Sequence, residues 1–210
     1  MDIPTAPDTC HALASPAELH EGIARLSRGG YFGQASLDMA LSLLTESAAR
    51  VSRIERVSIW GLSGDQWELR CLEQFTLSRG RRAAGSIRHA LRYPAYFAAL
   101  REGSCVVADD ALVDPVTSAL AAEHLLPGNI TAVLDTPIFF RGELQGMLSL
   151  EQVGSREPWH VAHRLFAHAV ANLVALALVE HEAEQARNQA QKSAERLRSM
   201  SRVPVQAMAA

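Results

Sequence analysis

The sequence predicts an α+β fold whose strands pair antiparallel. Three observations carry that reading: two stripes of apolar residues at helical spacing come first, two hairpin patterns separated by a long irregular stretch follow, and after Pro158 neither glycine nor proline interrupts the chain before about Met200. Two helices, paired strands and a long closing helix suit one globular domain with an extension, which is what 210 residues allow.

The first fifteen residues, with Pro4 and Pro7 among isolated apolar positions, have no period that could bury a face and are expected to form a loose tail. Ser15-Pro16 pairs a helix cap with a residue suited to the first turn, and Leu19, Ile23 and Leu26 recur at helical spacing until Gly29-Gly30. A second helix from near Ser36 sets Leu37, Ala40, Leu41, Leu44, Ala48 and Val51 on one stripe. Val57-Ser58-Ile59-Trp60 then alternates, Ser63-Gly64-Asp65 is turn chemistry, and Trp67 to Phe75 resumes an extended pattern, so this stretch predicts a hairpin.

Between Arg79 and Pro127 the pattern is irregular. It holds a basic, glycine-rich piece to Gly85, a short helix from Pro94 to Arg101, a small strand at Cys105 to Ala108, and a loop with a helical turn through Asp114-Pro115. Excursions of this length often build binding sites. A second hairpin is predicted from Ile130 to Phe140 and Leu144 to Glu151 around Arg141-Gly142-Glu143, with Leu144, Gly146, Leu148 and Leu150 sharing one face. The closing helix is apolar nearly all round up to Val179 and rich in Ala, Glu, Gln and Arg beyond Glu180.

Composition narrows function. A net charge of −3, a pI near 6.2 and no Lys/Arg block leave out the electrostatic footprint of a nucleic-acid binder. The longest apolar stretch, Ala167 to Val179, is broken by His168 and Asn172 and falls short of the roughly 20 residues a membrane span needs. Met1 to Pro16 does not read as a secretory signal, so a cytoplasmic location is expected. Cys10, Cys71 and Cys105 show no CxxC spacing, and reduced thiols fit that compartment.

Helix, hairpin, irregular excursion, hairpin, helix is also the order of a GAF domain. The local wording agrees in Val57-Ser58-Ile59-Trp60, Tyr93-Pro94-Ala95-Tyr96-Phe97, Ala108-Asp109-Asp110-Ala111 leading to Asp114-Pro115, Leu134-Asp135-Thr136-Pro137-Ile138, Gly146-Met147-Leu148-Ser149-Leu150-Glu151 and Arg156-Glu157-Pro158-Trp159. Over about residues 36 to 182 the chain resembles the GAF modules of bacterial sensor histidine kinases and diguanylate cyclases. The resemblance implies a GAF-like antiparallel sheet, first and last helices on one face, and the excursion arching over a small-molecule pocket on the other. It implies sensing and relay, not catalysis. The resulting division is a tail over 1–15, a short helix and linker over 16–35, the GAF domain over 36–182, a coiled-coil signalling helix over 183–202, and a second tail over 203–210.

Beyond the domain, Leu176, Ala183, Ala190 and Leu197 fall seven apart, with Val179, Ala186, Ser193 and Met200 as a second series three residues on. Taken as a and d positions, they place Glu182 at g and Arg187 at the following e, opposite charges across a parallel two-stranded interface. The expected partners are therefore a second copy of the chain as a parallel homodimer, a small-molecule ligand, and a histidine kinase or GGDEF-type output domain in cis or in trans. Nucleic acid and membrane are not expected. The bland reading is a solvated helix that pairs with nothing.

Strand parity puts Ser58 and Trp60 on one face, and Met147, Ser149 and Glu151, with Gln145, on one face of their strand. With Tyr93, Tyr96, Asp109, Asp110 and Thr117 from the excursion, these are the candidate ligand-binding residues. Against this, the aromatics could be ordinary core and the aspartates caps of helical turns. Arg79-Gly80-Arg81-Arg82 is a weaker candidate anion grip. No catalytic residue, metal site or cofactor is assigned. His160, His163 and His168 have no metal-ligand spacing, though a haem needs one axial histidine, so haem or another tetrapyrrole stays open. The alternative to a sensor is a ligand-free dimerisation module. A third reading is an enzyme of the free methionine sulfoxide reductase type, for which Cys105 has no nearby resolving partner.

Overall fold

The computed structural model describes residues 12–29 and 36–200. The predicted tail segments 1–11 and 203–210, Cys10 and most of the linker before Ser36 lie outside the described residues.

Helix α1 (Pro16–Ser27) begins as its sequence dictates, with a capping box in which Ser15 N–H donates to the Glu18 carboxylate at 2.8 Å and Glu18 N–H donates to Ser15 Oγ at 3.4 Å. Ser36 caps α2 (Leu37–Ser52), which ends at Arg53 in the left-handed conformation, φ 58°. The first hairpin is β1 (Arg56–Leu62) and β2 (Glu68–Thr76). The excursion then contributes β3 (Arg81–Ala83), β4 (Ile87–His89), α3 (Pro94–Arg101) and β5 (Val106–Ala108), followed by a 3₁₀ turn at Ser118–Leu120 and a π turn at Ala121–Leu125. The second hairpin is β6 (Ile130–Phe140) and β7 (Glu143–Val153), and α4 (Val161–Met200) closes the chain. Its two-residue loop, Arg141-Gly142, has φ of 53° and 82°, the sign a type I′ turn requires.

All pairings are antiparallel, in the order β3-β2-β1-β7-β6-β5, with β4 also on β2. The first and last long strands thus meet at the centre, β1 against β7. On one face α1, α2 and α4 bury Leu41, Leu44, Ile59, Leu148, Leu150, Phe166 and Val170. On the other the excursion covers Trp60, Leu69, Tyr96, Phe97, Leu125 and Met147.

Two irregularities decide which side chains reach which face. Between Ile59 and Trp60 the β1/β2 register shifts, leaving Leu72 unmatched, so Leu69 and Cys71 face the excursion while Phe75, of the same parity in the sequence, packs with the helices. Between Ile138 and Phe139 the β6/β7 register shifts past Gln145. Leu144 therefore packs with Trp60 and Met147, not with Leu148 and Leu150 as strict alternation predicts.

Helix α4 starts three residues later than Pro158. His160 takes the cap: its carbonyl accepts from His163 and Arg164 N–H, and its own N–H donates to His163 Nδ1 at 3.1 Å. An 18-residue window of α4 reaches a mean hydropathy of 1.5, so by length and composition the helix could cross a membrane despite its interrupting His168 and Asn172. In the fold Phe166, Ala167, Val170, Ala171, Val174 and Ala177 are buried instead, Phe166 and Val170 among them in the helix-side core. From Glu184 to Arg198 every residue is exposed, so the second half of the helix projects beyond the core.

Candidate functional site

The excursion face of the central strands carries three cross-strand rows: Arg56, Glu151 and Val133; Ser58, Ser149 and Asp135; Trp60, Met147 and Pro137. The middle rows of a sheet are ordinarily apolar, yet here two carboxylates stand among them, Asp135 wholly buried and Glu151 1% exposed. A third charge arrives from β4. The Arg88 guanidinium lies 4.1 Å above the Trp60 ring and 5.5 Å from the Tyr96 ring, donates to Tyr96 Oη at 2.8 Å, and stands 3.7 Å from Glu151 Oε1. Tyr96, on α3, donates its hydroxyl to Asp135 Oδ2, and Met147 Sδ is 2.9 Å from the Tyr96 hydroxyl oxygen.

Glu151 is held from three sides: His124 Nε2 of the π turn at 2.5 Å, Arg56 Nη1 at 3.3 Å, and Arg88. Burial pushes its carboxyl up, but His124, Arg56 and Arg88 together win and hold it at about 2. Asp135 behaves oppositely. Its desolvation outweighs the attraction of Arg88 and raises the carboxyl above the ordinary range, while burial and the neighbouring Asp135 push the Tyr96 phenol well above its usual value. Arg88, although desolvated, is held protonated by Tyr96, Asp135 and Glu151. Two carboxylates of one network are thereby driven apart in acidity, a pattern concentrated at functional sites.

Of the residues singled out from sequence, Ser58, Trp60, Tyr96, Met147, Ser149 and Glu151 come together here, with Trp60 Nε1–H donating to Ser58 Oγ at 2.8 Å. Tyr93 sits at the margin, its hydroxyl donating to Glu123 at 2.6 Å and so tying α3 to the π turn. Three lie elsewhere. Asp109 accepts from Trp159 N–H at 2.7 Å and Asp110 pairs with Arg156 at 2.7 Å, so both fasten the excursion to the segment before α4. Thr117 donates to the Ala111 carbonyl at 2.7 Å and, with Asp114, shapes the loop between β5 and the 3₁₀ turn. Arg82 of the basic segment is no anion grip either: it pairs with Glu46 at 2.5 Å and Glu73 at 2.9 Å, bracing the sheet edge on α2.

With Trp60, Tyr96, Met147 and Arg88 each at most 4% exposed, the site is filled by the chain's own side chains. Among the described residues no three His, Cys, Asp or Glu side chains converge as a metal-binding group. A separate cleft of about 390 Å³ lies on the helix side between β5 and α4, where Cys105 Sγ is 3.2 Å from His168 Nε2.

The sequence profile of the GAF domain family matches residues 36–178, about two thirds of the chain and every strand of the sheet. The chain belongs to the GAF domain family. This GAF domain superposes on a phycocyanobilin-bound GAF domain from a cyanobacterial phytochrome with a TM-score of 0.62 at 16% identity, over 83% of this chain and 98% of the other. A methyl-accepting chemotaxis protein, residues 122 to 287, gives 0.62 at 18% identity, over 79% and 99%. A free methionine-R-sulfoxide reductase from Neisseria meningitidis, solved with its substrate, gives 0.60 at 13%, over 86% and 96%. At such identities the likeness is one of fold. No curated protein matches the chain.

Within this GAF domain the sequence reading passed over four groups that make the network: Arg56, Arg88, His124 and Asp135. Asp135 carried a usable signal, since it shares parity with Val133 on β6 and pairs with Ser149. Arg88 and His124 carried none, because each stands in a segment too short to show a period.

Proposed function

We propose that this GAF domain is a non-catalytic sensory module, in which a small molecule bound among Trp60, Tyr96, Asp135 and Glu151 alters the central strands and α4 relays the change. One observation carries the reading: a network of ionisable side chains is buried on the excursion face of the sheet, where desolvation is a cost that packing alone would avoid. Glu151 and Met147 stand on β7, the element that precedes α4 in the chain, so site and rod are joined through the segment 154–160. The phytochrome and chemotaxis likenesses agree with a regulatory use of the fold.

The projecting half of α4 carries the heptad series from Ala183 to Leu197, and in this reading it pairs in parallel with a second copy in the cytoplasm. A histidine kinase or GGDEF-type module, in cis or in trans, receives the output. An enzyme of the sulfoxide-reductase type is disfavoured because Cys71 and Cys105 lie on opposite faces of the sheet and cannot serve each other as a resolving pair. The second reading, a dimerisation module without a ligand, takes its support from the filled site.

Native mass spectrometry of the purified protein, followed by thermal-shift screening of amines, amino acids, nucleotides and tetrapyrroles, separates the two. A retained or saturably stabilising ligand supports sensing, because binding to the native state alone raises stability. Flat melts across all classes support the scaffold.

A further inference from the structure

Arg88 is the only buried Lys or Arg among the described residues, and its surroundings are those of a bound cation. Its guanidinium has the Trp60 ring beneath it, the Tyr96 ring beside it, and Glu151 and Asp135 as the nearby carboxylates. Aromatic faces and carboxylates in one enclosed place form the recognition chemistry of an organic cation. The fit is incomplete. Arg88 Nε has no hydrogen-bond partner, Asp135 Oδ1 has none, and the Glu151 oxygen at 3.7 Å is beyond hydrogen-bond reach of Nη2.

The element that delivers Arg88 is also among the slightest in the sheet. Strand β4 has three residues, pairs with Glu68, Leu69 and Arg70 of β2 with further backbone bonds on its flanks from Cys71 to Ser86 and from Ala90 to Trp67, and leaves Ile87 and His89 exposed on either side of Arg88. Apart from Arg88 itself, no β4 side chain is buried, so side-chain packing holds this strand at one residue only.

We propose that the excursion face recognises a small organic cation bearing a guanidinium or ammonium group, and that Arg88 is a built-in stand-in which this ligand replaces. The inference rests on the sensory reading and names its ligand class. An anion would meet Asp135 and Glu151 at close range. A neutral ligand of the same size would leave Asp135 without a counter-charge once Arg88 moved away, whereas Glu151 would keep Arg56 and His124.

The test uses agmatine, methylguanidine and tetramethylammonium as probes, with methylurea as the neutral isostere of methylguanidine. They are titrated against the wild-type chain and Arg88→Ala, with melting temperature and indole emission read together. Arg88→Ala should be destabilised, saturably restored by millimolar methylguanidine but not by methylurea, and bind agmatine at least about tenfold tighter than wild type, since the competing side chain is gone. Asp135→Asn should weaken that binding. Failure of every cation to stabilise Arg88→Ala beyond methylurea would overturn the proposal, as would cation binding by the variant with none by wild type. If Arg88→Ala does not fold, a saturable change in wild-type indole emission on adding agmatine supports the proposal and its absence overturns it. Should wild type bind a neutral or anionic compound and no cation, the ligand class falls while sensing stands; binding of nothing removes both.

Discussion

A Cβ built on Gly146 would lie 1.9 Å from the backbone oxygen of Trp60, so β1 and β7 approach at this rung as only a glycine permits. The contact is backbone against backbone and cannot be relieved by a rotamer. It sits one residue from Met147 and beside the indole that carries Arg88.

Gly146→Ala is therefore expected to destabilise the domain by more than about 2 kcal/mol, by parting the two central strands. Gly61→Ala, whose Cβ would meet as its nearest neighbour the flexible end of the Leu72 side chain at 3.1 Å, should cost under about 1 kcal/mol. Urea midpoints of the two variants compare them directly. Equal losses would mean that the close approach at Gly146 is not what holds the sheet together.

Glu151 gives stability a definite acid dependence. Its native carboxyl at about 2 lies below the ordinary 4.5, so the unfolded chain binds the proton more tightly. The stabilisation, on the order of 3 kcal/mol, is complete above pH 4.5 and lost as pH falls toward 2. Asp135, raised by burial, works with the opposite sign and favours the native state as it protonates. Glu151→Gln should be less stable than wild type at pH 7, and the gap should narrow between pH 5 and pH 3 in chemical denaturation. A gap undiminished at pH 3 would contradict this account.

The thiols should separate by reactivity. Burial pushes Cys71 up to about 12, whereas Cys105 is half-buried and raised less, with His168 beside it. In a Cys10→Ser background, native protein should react with a disulfide reagent slowly at Cys105, faster as pH climbs past the usual thiol range. Cys71 should react only on unfolding. Native labelling of Cys71 ahead of Cys105 would show that the excursion opens readily.

If α4 pairs as proposed, Ala183→Leu and Ala190→Leu should tighten self-association, since each adds three carbons at a core position of the proposed seam and roughly 2 kcal/mol of burial. Sedimentation equilibrium reads the shift in dimer dissociation. No change in either variant would leave α4 as a solvated helix.

Much of the fold was legible because its signals are local. Caps at Ser15 and Ser36, the alternation of Val57 to Trp60, the turn at Arg141-Gly142 and the uninterrupted run after Pro158 each depend on residues within a few positions of one another. The three-residue strands β3 and β4 were not legible, since so short a segment shows no period and forms only because β2 offers it an edge. Six of the candidate site residues converge on the excursion face because strand parity holds through Ser58, Trp60, Met147, Ser149 and Glu151, and helix α3 brings Tyr96 above them. Asp109, Asp110 and Thr117 share the excursion's chemistry but turn toward its anchoring points.

The sequence by itself determined the longer helices and strands, their order and the family to which the chain belongs. Tertiary structure alone decided the sides: skipped residues at Leu72 and Gln145 move Cys71 and Leu144 to the excursion face, and a bulge is a property of two strands in register, not of either one. It alone also brought Arg88, Tyr96, Asp135, His124 and Glu151 into one buried network. Charges are stable there only through partners supplied by other segments, and no local pattern in the chain records which segments those are.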